Sequence, residues 1–299
     1  MYDHIWINGS IVPLAEARLS PASAGALYGW GVFTTLGVAG GRPVALDRHW
    51  ERLEAHAARA LVTLDWTREE VAQGLFDLLA QSGIGEGRAR VTVLRARAGL
   101  WQAPTERSSD VMAFVAERPA RETRPLALTV SRYRLNSGAP LAGVKATAYI
   151  EHLVALDEAR ARGFDEAIML NERGEVVEAT SANLFWRRRD ELFTPSLATG
   201  CLAGIMRRLV LEAATRLRLH VVEGGFHLTD LHDAEELFAT NSGWGLVAAG
   251  EVDIHRYDTE KDTWRRRLEA TVVDILTRES RAPRAPANGS GTHSPKTAR

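Results

Sequence analysis

The chain has little that would tie it to a membrane, to nucleic acid or to an oxidising compartment. Cys201 is the only cysteine among 299 residues, which excludes an internal disulfide framework and a cysteine-based metal cluster and favours a reducing cytoplasm. The formal net charge is −1 and the charges are spread along the chain, so no basic face for nucleic acid or an anionic membrane is predicted. No apolar run approaches membrane-spanning length, and no signal-peptide pattern follows Met1. We therefore expect a soluble, cytoplasmic protein.

Two common binding motifs are also missing. Gly29 and Gly31 begin a pattern like a dinucleotide-binding fingerprint, but Thr34 stands where its third glycine would be, so that fingerprint is rejected. The histidines show no metal-ligand spacing with one another. Those considered are His49, His152, His227 and His232. No metal site is predicted, which leaves small neutral or anionic metabolites as ligands.

Local sequence patterns predict strands and two helices before residue 118. Alternating apolar residues on both sides of Asn8-Gly9 predict a hairpin, because this pair accepts the positive φ of a type I′ turn. Asp47 is predicted to cap the first helix, and Thr67 with Glu70 forms a capping box at the start of the second. The predicted ranges are hairpins over 4–12 and 33–46, helices over 47–61 and 67–83, and strands over 88–95 and 111–117.

Length and composition predict two domains and a tail. The chain is longer than a typical single domain. The polar, proline-containing segment 119–125 is predicted to link a smaller N-terminal domain over 1–118 to a larger C-terminal domain over 126–280. Residues 281–299 contain almost no large apolar group and are predicted to be a disordered tail. In the larger domain, strands are predicted at 126–132, 166–170, 175–177, 183–187 and 191–194, and helices at 149–162, 203–219 and 259–278.

Lys145 and Glu178 suggest the chemistry of pyridoxal phosphate. A buried lysine loses its proton easily because burial disfavours the charged form, and the free amine condenses with an aldehyde. A glutamate at the far end of the ring keeps a pyridine nitrogen protonated, which makes the ring an electron sink. Taken alone, Lys145 could equally be a solvated surface charge, and Glu178 an exposed strand residue.

Five segments together resemble the class IV aminotransferases. They are LYGWGVFTT at 27–35, LDRHWERL at 46–53, LAGVKATAY at 141–149, VEATSANLFW at 177–186 and GCLAGIMRR at 200–208. The resemblance spans roughly 5–250 and implies an α+β, two-domain, fold-type IV enzyme like the D-amino-acid aminotransferases. It also implies pyridoxal 5′-phosphate in the interdomain cleft, and a homodimer whose active sites take residues from both subunits.

The resemblance assigns a role to each candidate residue. Lys145 would form the imine with the cofactor and act as general base, and Glu178 would pair with the pyridine nitrogen. Arg52 would hold the phosphate, since its guanidinium fork suits a dianion. The remaining cofactor-binding candidates are Tyr149, Asn183, Gly204, Ile205, Met206 and Ser242. Many relatives have threonine where this chain has Met206, which removes one phosphate contact.

Structural alternatives stay open for four of these residues. Arg52 could be a solvated helix residue, as Arg48 one turn earlier is expected to be. Glu178 could form a cross-strand ion pair with one of the arginines at 187–189. Ser242 could be a turn serine beside Gly243, and Tyr149 a core residue.

The substrate is a small-molecule amine under this resemblance, and two reactions compete for it. The sequence favours 4-amino-4-deoxychorismate lyase, because Thr34-Thr35 stands where branched-chain aminotransferases usually have Glu-Gly. A transaminase acting on branched-chain amino acids, D-amino acids or amines is the alternative, since Trp30 replaces the aspartate of many lyases; a non-catalytic binding protein is a third reading. The predicted substrate-binding residues are Trp30, Thr35, Arg95 and Arg97, with Trp101 also expected to narrow the pocket.

Overall fold

The structure is a computed structural model that describes residues 2–97, 107–118, 124–261 and 263–281. Within these ranges, the strands form two sheets, and each sheet has its own apolar core. None of the helices in the described part of the chain combines the length and apolar character that crossing a membrane requires.

The first sheet is antiparallel and is built from the N-terminal part of the chain. Its strands are β1 (His4–Ile7), β2 (Ser10–Pro13), β3 (Gly31–Ala39), β4 (Arg42–Pro43), β5 (Gly87–Arg95) and β6 (Ser109–Glu117). Their order across the sheet is β2-β1-β6-β5-β3-β4. The helices of this part are α1 (Ala24–Tyr28), α2 (Leu46–Arg59) and α3 (Arg68–Ser82). The apolar faces of α2 and α3 pack on the sheet and bury side chains such as Leu53 and Leu75.

The second sheet is mixed and larger. Its strands are β7 (Leu126–Leu135), β8 (Glu166–Asn171), β9 (Val176–Ala179), β10 (Asn183–Arg188), β11 (Glu191–Pro195), β12 (His220–Gly224), β13 (Glu236–Asn241), β14 (Gly245–Val252) and β15 (His255–Arg256). Their order is β12-β11-β10-β13-β14-β7-β8-β9, and β15 pairs with β14. The helices are α4 (Ile150–Ala161), α5 (Ile205–Arg216), α6 (Leu228–His232) and α7 (Thr263–Arg281).

Polar and backbone contacts join the two sheets. Arg48 of α2, expected to be solvated, instead pairs with Glu212 of α5 at 2.6 Å and with Glu279 of α7. An isolated β-bridge between Val32 and Ala146 ties β3 to the segment that precedes α4. Because the bridge lies one residue after Lys145, the first sheet helps to position that lysine.

The local predictions are confirmed where short-range signals are strong. Asn8 and Gly9 have φ values of 47° and 89° between β1 and β2, and the capping box of Thr67 and Glu70 opens α3. The predicted cap at Asp47 is wrong, because α2 begins at Leu46 without a side-chain cap. Helix α7 also runs through residue 281, where the tail was predicted to begin. Residues 282–299 and most of the predicted linker, 119–123, lie outside the described ranges.

Candidate active site

A cavity of about 1140 Å³ lies between the two sheets. Strands β3 and β5 contribute one wall, and the other is formed by β9, β10, β13 and the start of α5. Ten of the predicted site residues line it, namely Thr35, Arg52, Lys145, Tyr149, Glu178, Asn183, Gly204, Ile205, Met206 and Ser242. Residues far apart in sequence therefore meet in one concave site, which is where a small-molecule site is expected.

Lys145 is held at the cavity wall by its backbone. Its carbonyl accepts from the Phe33 N–H at 2.9 Å, and its own N–H donates to His56 Nδ1 at 3.1 Å. The neighbouring Thr147 N–H donates to the Gly31 carbonyl at 2.9 Å. A Cβ on Gly31 would lie 2.9 Å from Thr147 Oγ1, so this close approach of β3 requires glycine.

The side-chain amine of Lys145 lies in apolar surroundings. Its Nζ is 4.7 Å from the ring centre of Phe33 and 5.0 Å from that of Tyr149. Burial, with the positive charge of Arg52 as a further cause, lowers the pKa of Lys145 to about 8, against an opposing effect of Glu178. About a tenth of this amine is therefore unprotonated at pH 7, far more than for an ordinary lysine, and this neutral form can act as a nucleophile or base.

We expect the reactivity of Lys145 to rise with pH around a midpoint near 8, because only the neutral amine attacks an electrophile. The chain has three lysines, Lys145, Lys261 and Lys296, so competitive acetylation followed by peptide mass spectrometry can follow each one separately. A free lysine peptide added to the same reaction is the reference and should show a midpoint near the ordinary lysine pKa of about 10.4. Equal midpoints for Lys145 and this peptide would contradict the expected lowering.

Glu178 is buried on β9, and its two carboxylate oxygens differ in their contacts. Oε2 accepts from Asn183 Nδ2 and from the Leu202 N–H, both at 3.1 Å. Oε1 lies 3.8 Å from His152 Nε2 and accepts no hydrogen bond from the described residues within normal distance. Oε1 is thus the oxygen left to accept from a ligand that carries a proton.

The alternative pairing of Glu178 with the arginines at 187–189 is wrong for Arg187. This guanidinium pairs with Glu235 at 2.6 Å and with Glu236 at 3.0 Å, at the other end of β10. The negative charge of Glu178 therefore remains at the cavity.

Asn183 supports Glu178 rather than presenting its amide N–H groups to a ligand. Its Nδ2 donates to Glu178 and also to the Leu202 carbonyl at 2.9 Å, so both amide hydrogens are used. A Cβ on Gly204 would lie only 2.0 Å from Asn183 Oδ1. Glycine is thus required at 204, where α5 approaches β10.

The Arg52 guanidinium has more N–H groups than it has hydrogen-bond acceptors among the described residues. It donates from Nη2 to Thr34 Oγ1 at 3.0 Å and from Nη1 to the Ala203 carbonyl at 3.4 Å. Its buried Nε has no partner among the residues that the structure describes. Burial, with the charge of Arg208 as a lesser cause, lowers the pKa of Arg52 to about 10. An anion beside Arg52 would supply the missing acceptor and reverse this electrostatic cost.

The start of α5 adds backbone donors at the same end of the cavity. Gly204 is the N-cap and provides no side-chain cap, and its own N–H is used by the Leu202 carbonyl at 2.8 Å. The next N–H groups, of Ile205 and Met206, belong to the first turn, where an α-helix leaves donors unpaired. Both residues border the cavity, so this helix end favours an anion.

A buried hydrogen-bond chain runs from Arg52 to the opposite wall. Thr34 Oγ1, which accepts from Arg52, is 2.6 Å from His49 Nδ1, and His49 Nε2 is 3.3 Å from Ser242 Oγ. Burial is the main cause that holds the pKa of His49 well below its ordinary value. Sequence reasoning found no metal-ligand spacing for His49 and gave it no role in the site, because no local signal connects positions 34, 49 and 242.

Tyr149 has a defined hydrogen bond and ring packing. Its hydroxyl donates to the Thr180 carbonyl at 2.6 Å, its ring stacks on His152 at 4.3 Å, and it meets Phe33 edge-on. Burial raises the pKa of Tyr149 well above its ordinary value, so the phenol stays neutral. The predicted bond to a cofactor oxygen stays a prediction, in which the phenol would accept rather than donate.

Three predicted substrate-binding residues do not border this cavity within the chain. Trp30 packs against the first core and donates from Nε1 to the Ala60 carbonyl at 2.7 Å. The guanidinium of Arg95 stacks 4.3 Å above that indole and donates to the Arg97 carbonyl at 2.8 Å. Arg97 is exposed, and Trp101 lies outside the described residues. Of the predicted set, Thr35 alone lines the cavity.

Arg88 and Arg90 line the cavity instead, and sequence reasoning missed them. The guanidinium of Arg90 lies 3.7 Å from the ring centre of Phe33, and its Nε donates to Thr92 Oγ1 at 3.1 Å. Arg90 is also the cross-strand partner of Thr35. The sequence did contain a signal for this pair. Arg88 and Arg90 are two positions apart in a predicted strand, and residues at that spacing face the same side.

The sequence of this chain is similar to those of known proteins. Residues 31–252 match the family model described as amino-transferase class IV. An aminodeoxychorismate lyase of Bacillus subtilis (strain 168) is 32% identical over 262 residues, which cover 86% of this chain and 89% of that protein.

Two solved structures have similar folds. The 4-amino-4-deoxychorismate lyase from Pseudomonas aeruginosa is 30% identical, with a TM-score of 0.79 over 91% of this chain and 99% of that one. The branched-chain aminotransferase from Thermoproteus uzoniensis, solved with norvaline, is 25% identical, with a TM-score of 0.84 over 94% and 97%. The fold is thus the α+β fold of fold-type IV enzymes, and the chain belongs to the amino-transferase class IV family.

Proposed function

We propose that this protein is a pyridoxal 5′-phosphate-dependent 4-amino-4-deoxychorismate lyase that releases pyruvate and 4-aminobenzoate. The observation that carries the proposal is the placement of Lys145, with its lowered pKa, in one cavity with the Glu178 carboxylate and the cation Arg52. The lyase relatives, at 32% and 30% identity over most of the chain, support the same reaction.

The described residues fit the proposed cofactor. Arg52 has a buried Nε without a partner, and the uncapped start of α5 lies at the same end of the cavity. Together they would hold the phosphate, while Glu178 Oε1 would accept from the pyridine N–H. When bound, pyridoxal phosphate supplies an electron sink for the carbon next to the substrate nitrogen.

Lys145 is proposed to move the proton. With a pKa near 8, its amine can take the proton from the carbon that carries the substrate nitrogen. Loss of pyruvate from the neighbouring carbon then leaves the aromatic ring of 4-aminobenzoate, and the same amine can return the proton to the departing group. The phenyl ring of Phe33 and the phenol of Tyr149 keep water away from this Nζ.

Arg88 and Arg90 are proposed to bind the substrate carboxylates. Both products of the proposed lyase reaction carry a carboxylate, so the substrate carries two. Two guanidinium groups on one face of β5, beside the hydroxyl of Thr35, suit such a dianion. This proposal replaces the earlier expectation for Arg95, whose guanidinium stacks on Trp30, and for Arg97, which does not line the cavity.

An aminotransferase is the second candidate. It is favoured by the fold similarity to the Thermoproteus uzoniensis branched-chain aminotransferase. Proton removal by Lys145 is common to both reactions. They differ in whether pyruvate leaves or an amino group is transferred.

We also propose that two copies of the chain associate. Five large apolar side chains are exposed on α1 and α4, namely Leu27, Tyr28, Ile150, Leu153 and Val154. The end of α1 lies close to the segment that leads into α4, because a Cβ on Gly29 would lie 3.3 Å from Ala148 Cα. An exposed apolar surface of this kind marks an interface, and it lies beside the cavity that Ile150 and Leu153 also line.

The two sheets are proposed to correspond to two domains with a boundary at 119–125, and the reaction is assigned to the cytoplasm. Separate apolar cores support the division.

The test is a product assay on the purified protein with pyridoxal phosphate and aminodeoxychorismate generated in situ, without any 2-oxo acid. The lyase should form pyruvate and 4-aminobenzoate in equal amounts, and Lys145→Ala should form neither. If no product appears but L- or D-amino acids convert the bound cofactor to its amine form, the aminotransferase replaces the lyase. If the protein shows no lysine-dependent visible absorption band, the cofactor proposal fails.

A further inference from the structure

We propose that His49 is a positioning residue. It fixes the direction of the hydrogen bonds that run from Arg52 through Thr34 and His49 to Ser242. As a result, Ser242 donates its hydroxyl proton into the end of the cavity formed by Arg52 and the start of α5, which we call the anion end. The inference rests on the proposed function, because the anion is taken to be the phosphate of the cofactor. His49 itself would touch neither substrate nor cofactor. It would control the contact that the Ser242 hydroxyl makes with the phosphate.

Arg52, at one end of this series of hydrogen bonds, sets the direction in which they are donated. A guanidinium has only donors, so Thr34 Oγ1 must accept the hydrogen bond from Arg52 Nη2 at 3.0 Å. Thr34 is 3% exposed, and its hydroxyl proton needs an acceptor because an unpaired buried donor is costly. Among the described residues, His49 Nδ1 at 2.6 Å is the acceptor within reach.

The tautomer of His49 follows. The ring is 2% exposed, and the positive charges of Arg52, Lys145 and Arg208 disfavour a second proton on it. A neutral imidazole that accepts at Nδ1 carries its proton on Nε2. That N–H then donates to Ser242 Oγ at 3.3 Å.

Ser242 therefore has its own proton left to give. Its backbone is fixed by Asn241, whose Oδ1 accepts from the N–H groups of Gly243 and Trp244 at 2.8 and 3.0 Å. Asn241 Nδ2 in turn donates to the Ser181 carbonyl at 3.1 Å. Because His49 occupies one lone pair of the hydroxyl from the protein side, the O–H is directed to the cavity that Ser242 lines.

The anion end then presents donors from three directions. They are the guanidinium of Arg52, the first N–H groups of α5 and the hydroxyl of Ser242. Such a surface suits a fully deprotonated phosphate, whereas the neutral alcohol of pyridoxal offers a single uncharged acceptor oxygen and gains much less from it. Removing His49 would free the Ser242 hydroxyl to turn and accept instead.

The experiment measures dissociation constants of apoprotein for pyridoxal 5′-phosphate and for pyridoxal, by the visible absorption band, in wild type and variants. His49→Phe, which keeps the ring but loses both nitrogens, should weaken binding of the phosphate form about tenfold while changing pyridoxal binding less than about twofold. His49→Gln keeps an N–H donor towards Ser242 and should recover most of the loss. Ser242→Ala should cost as much as His49→Phe, and the double variant no more than either.

His56→Gln is the matched control on the same helix. His56 Nδ1 accepts from the Lys145 N–H, so its replacement should affect both ligands equally. Equal weakening of both ligands by His49→Phe, or losses that add in the double variant, would overturn the role of His49. If His49→Phe does not fold, failure of His49→Gln to bind the phosphate form better than Ser242→Ala overturns it as well. If wild type binds neither ligand, the proposed function fails instead.

Discussion

Replacing Lys145 by alanine is expected to reduce turnover at least about 10⁴-fold, because it removes both the amine that would bind the cofactor and the proposed base. The fold should survive, since the contacts that anchor the residue come from its backbone N–H and carbonyl. The measurement is kcat for 4-aminobenzoate release, alongside thermal unfolding of the variant and wild type.

Lys145→Arg is the matched control for charge. Arginine keeps a cation at the cavity wall but does not lose its proton in a protein, so it should be as inactive as alanine. Turnover by either variant within about tenfold of wild type would exclude Lys145 as the base, whatever the reaction.

Replacing Glu178 by glutamine should lower kcat by roughly 10²–10³-fold while leaving the fold intact. Glutamine keeps an oxygen that accepts from Asn183 and Leu202, so the contacts to the protein are retained while the charged acceptor Oε1 becomes a neutral NH2 donor. Without that charge the pyridine nitrogen of the proposed cofactor would no longer be held in its protonated form, and the electron sink would weaken. Cofactor affinity should change much less than kcat, because Arg52 and α5 are proposed to hold the other end of the cofactor.

Glu175→Gln is the matched control, because it makes the same glutamate-to-glutamine change three positions before Glu178. Glu175 accepts from Asn171 and pairs with Arg173 at 2.6 Å, and it does not border the cavity. Its replacement should alter stability by about 1 kcal/mol and leave kcat unchanged. A Glu178→Gln variant with wild-type kcat would show that no ring proton depends on this carboxylate.

Local signals predicted much of the N-terminal fold, because its turns and caps are decided by a few adjacent residues. The type I′ turn at Asn8-Gly9 and the capping box at Thr67 are of this kind. Strands β12 to β15 were missed, since the residues from 220 to 256 lack the alternation that marks a half-buried strand and depend on pairing with distant partners. Asp47 was misjudged because Ala45, at φ 53°, turns the chain into α2 without a side-chain cap.

In the candidate site, sequence motifs likewise account for some features and not for others. Family motifs were sufficient to predict that Lys145, Glu178 and Arg52 would meet, and the structure brings them to one cavity. Motifs could not give the use of the Asn183 amide hydrogens or the hydrogen-bond chain through His49, because these depend on contacts between residues 19 and 193 positions apart in the sequence. The substrate-binding prediction for Arg95 did not anticipate its stacking on Trp30.

The absence of a side chain at Gly204 has a consequence for how this site can evolve. Any larger residue there would meet Asn183 Oδ1, and Asn183 in turn restrains Glu178. A change made to adjust the anion-binding helix end would therefore misalign the carboxylate across the cavity. The anion-binding helix end and the carboxylate are thus coupled through Asn183, so a substitution at either one is expected to disturb the other.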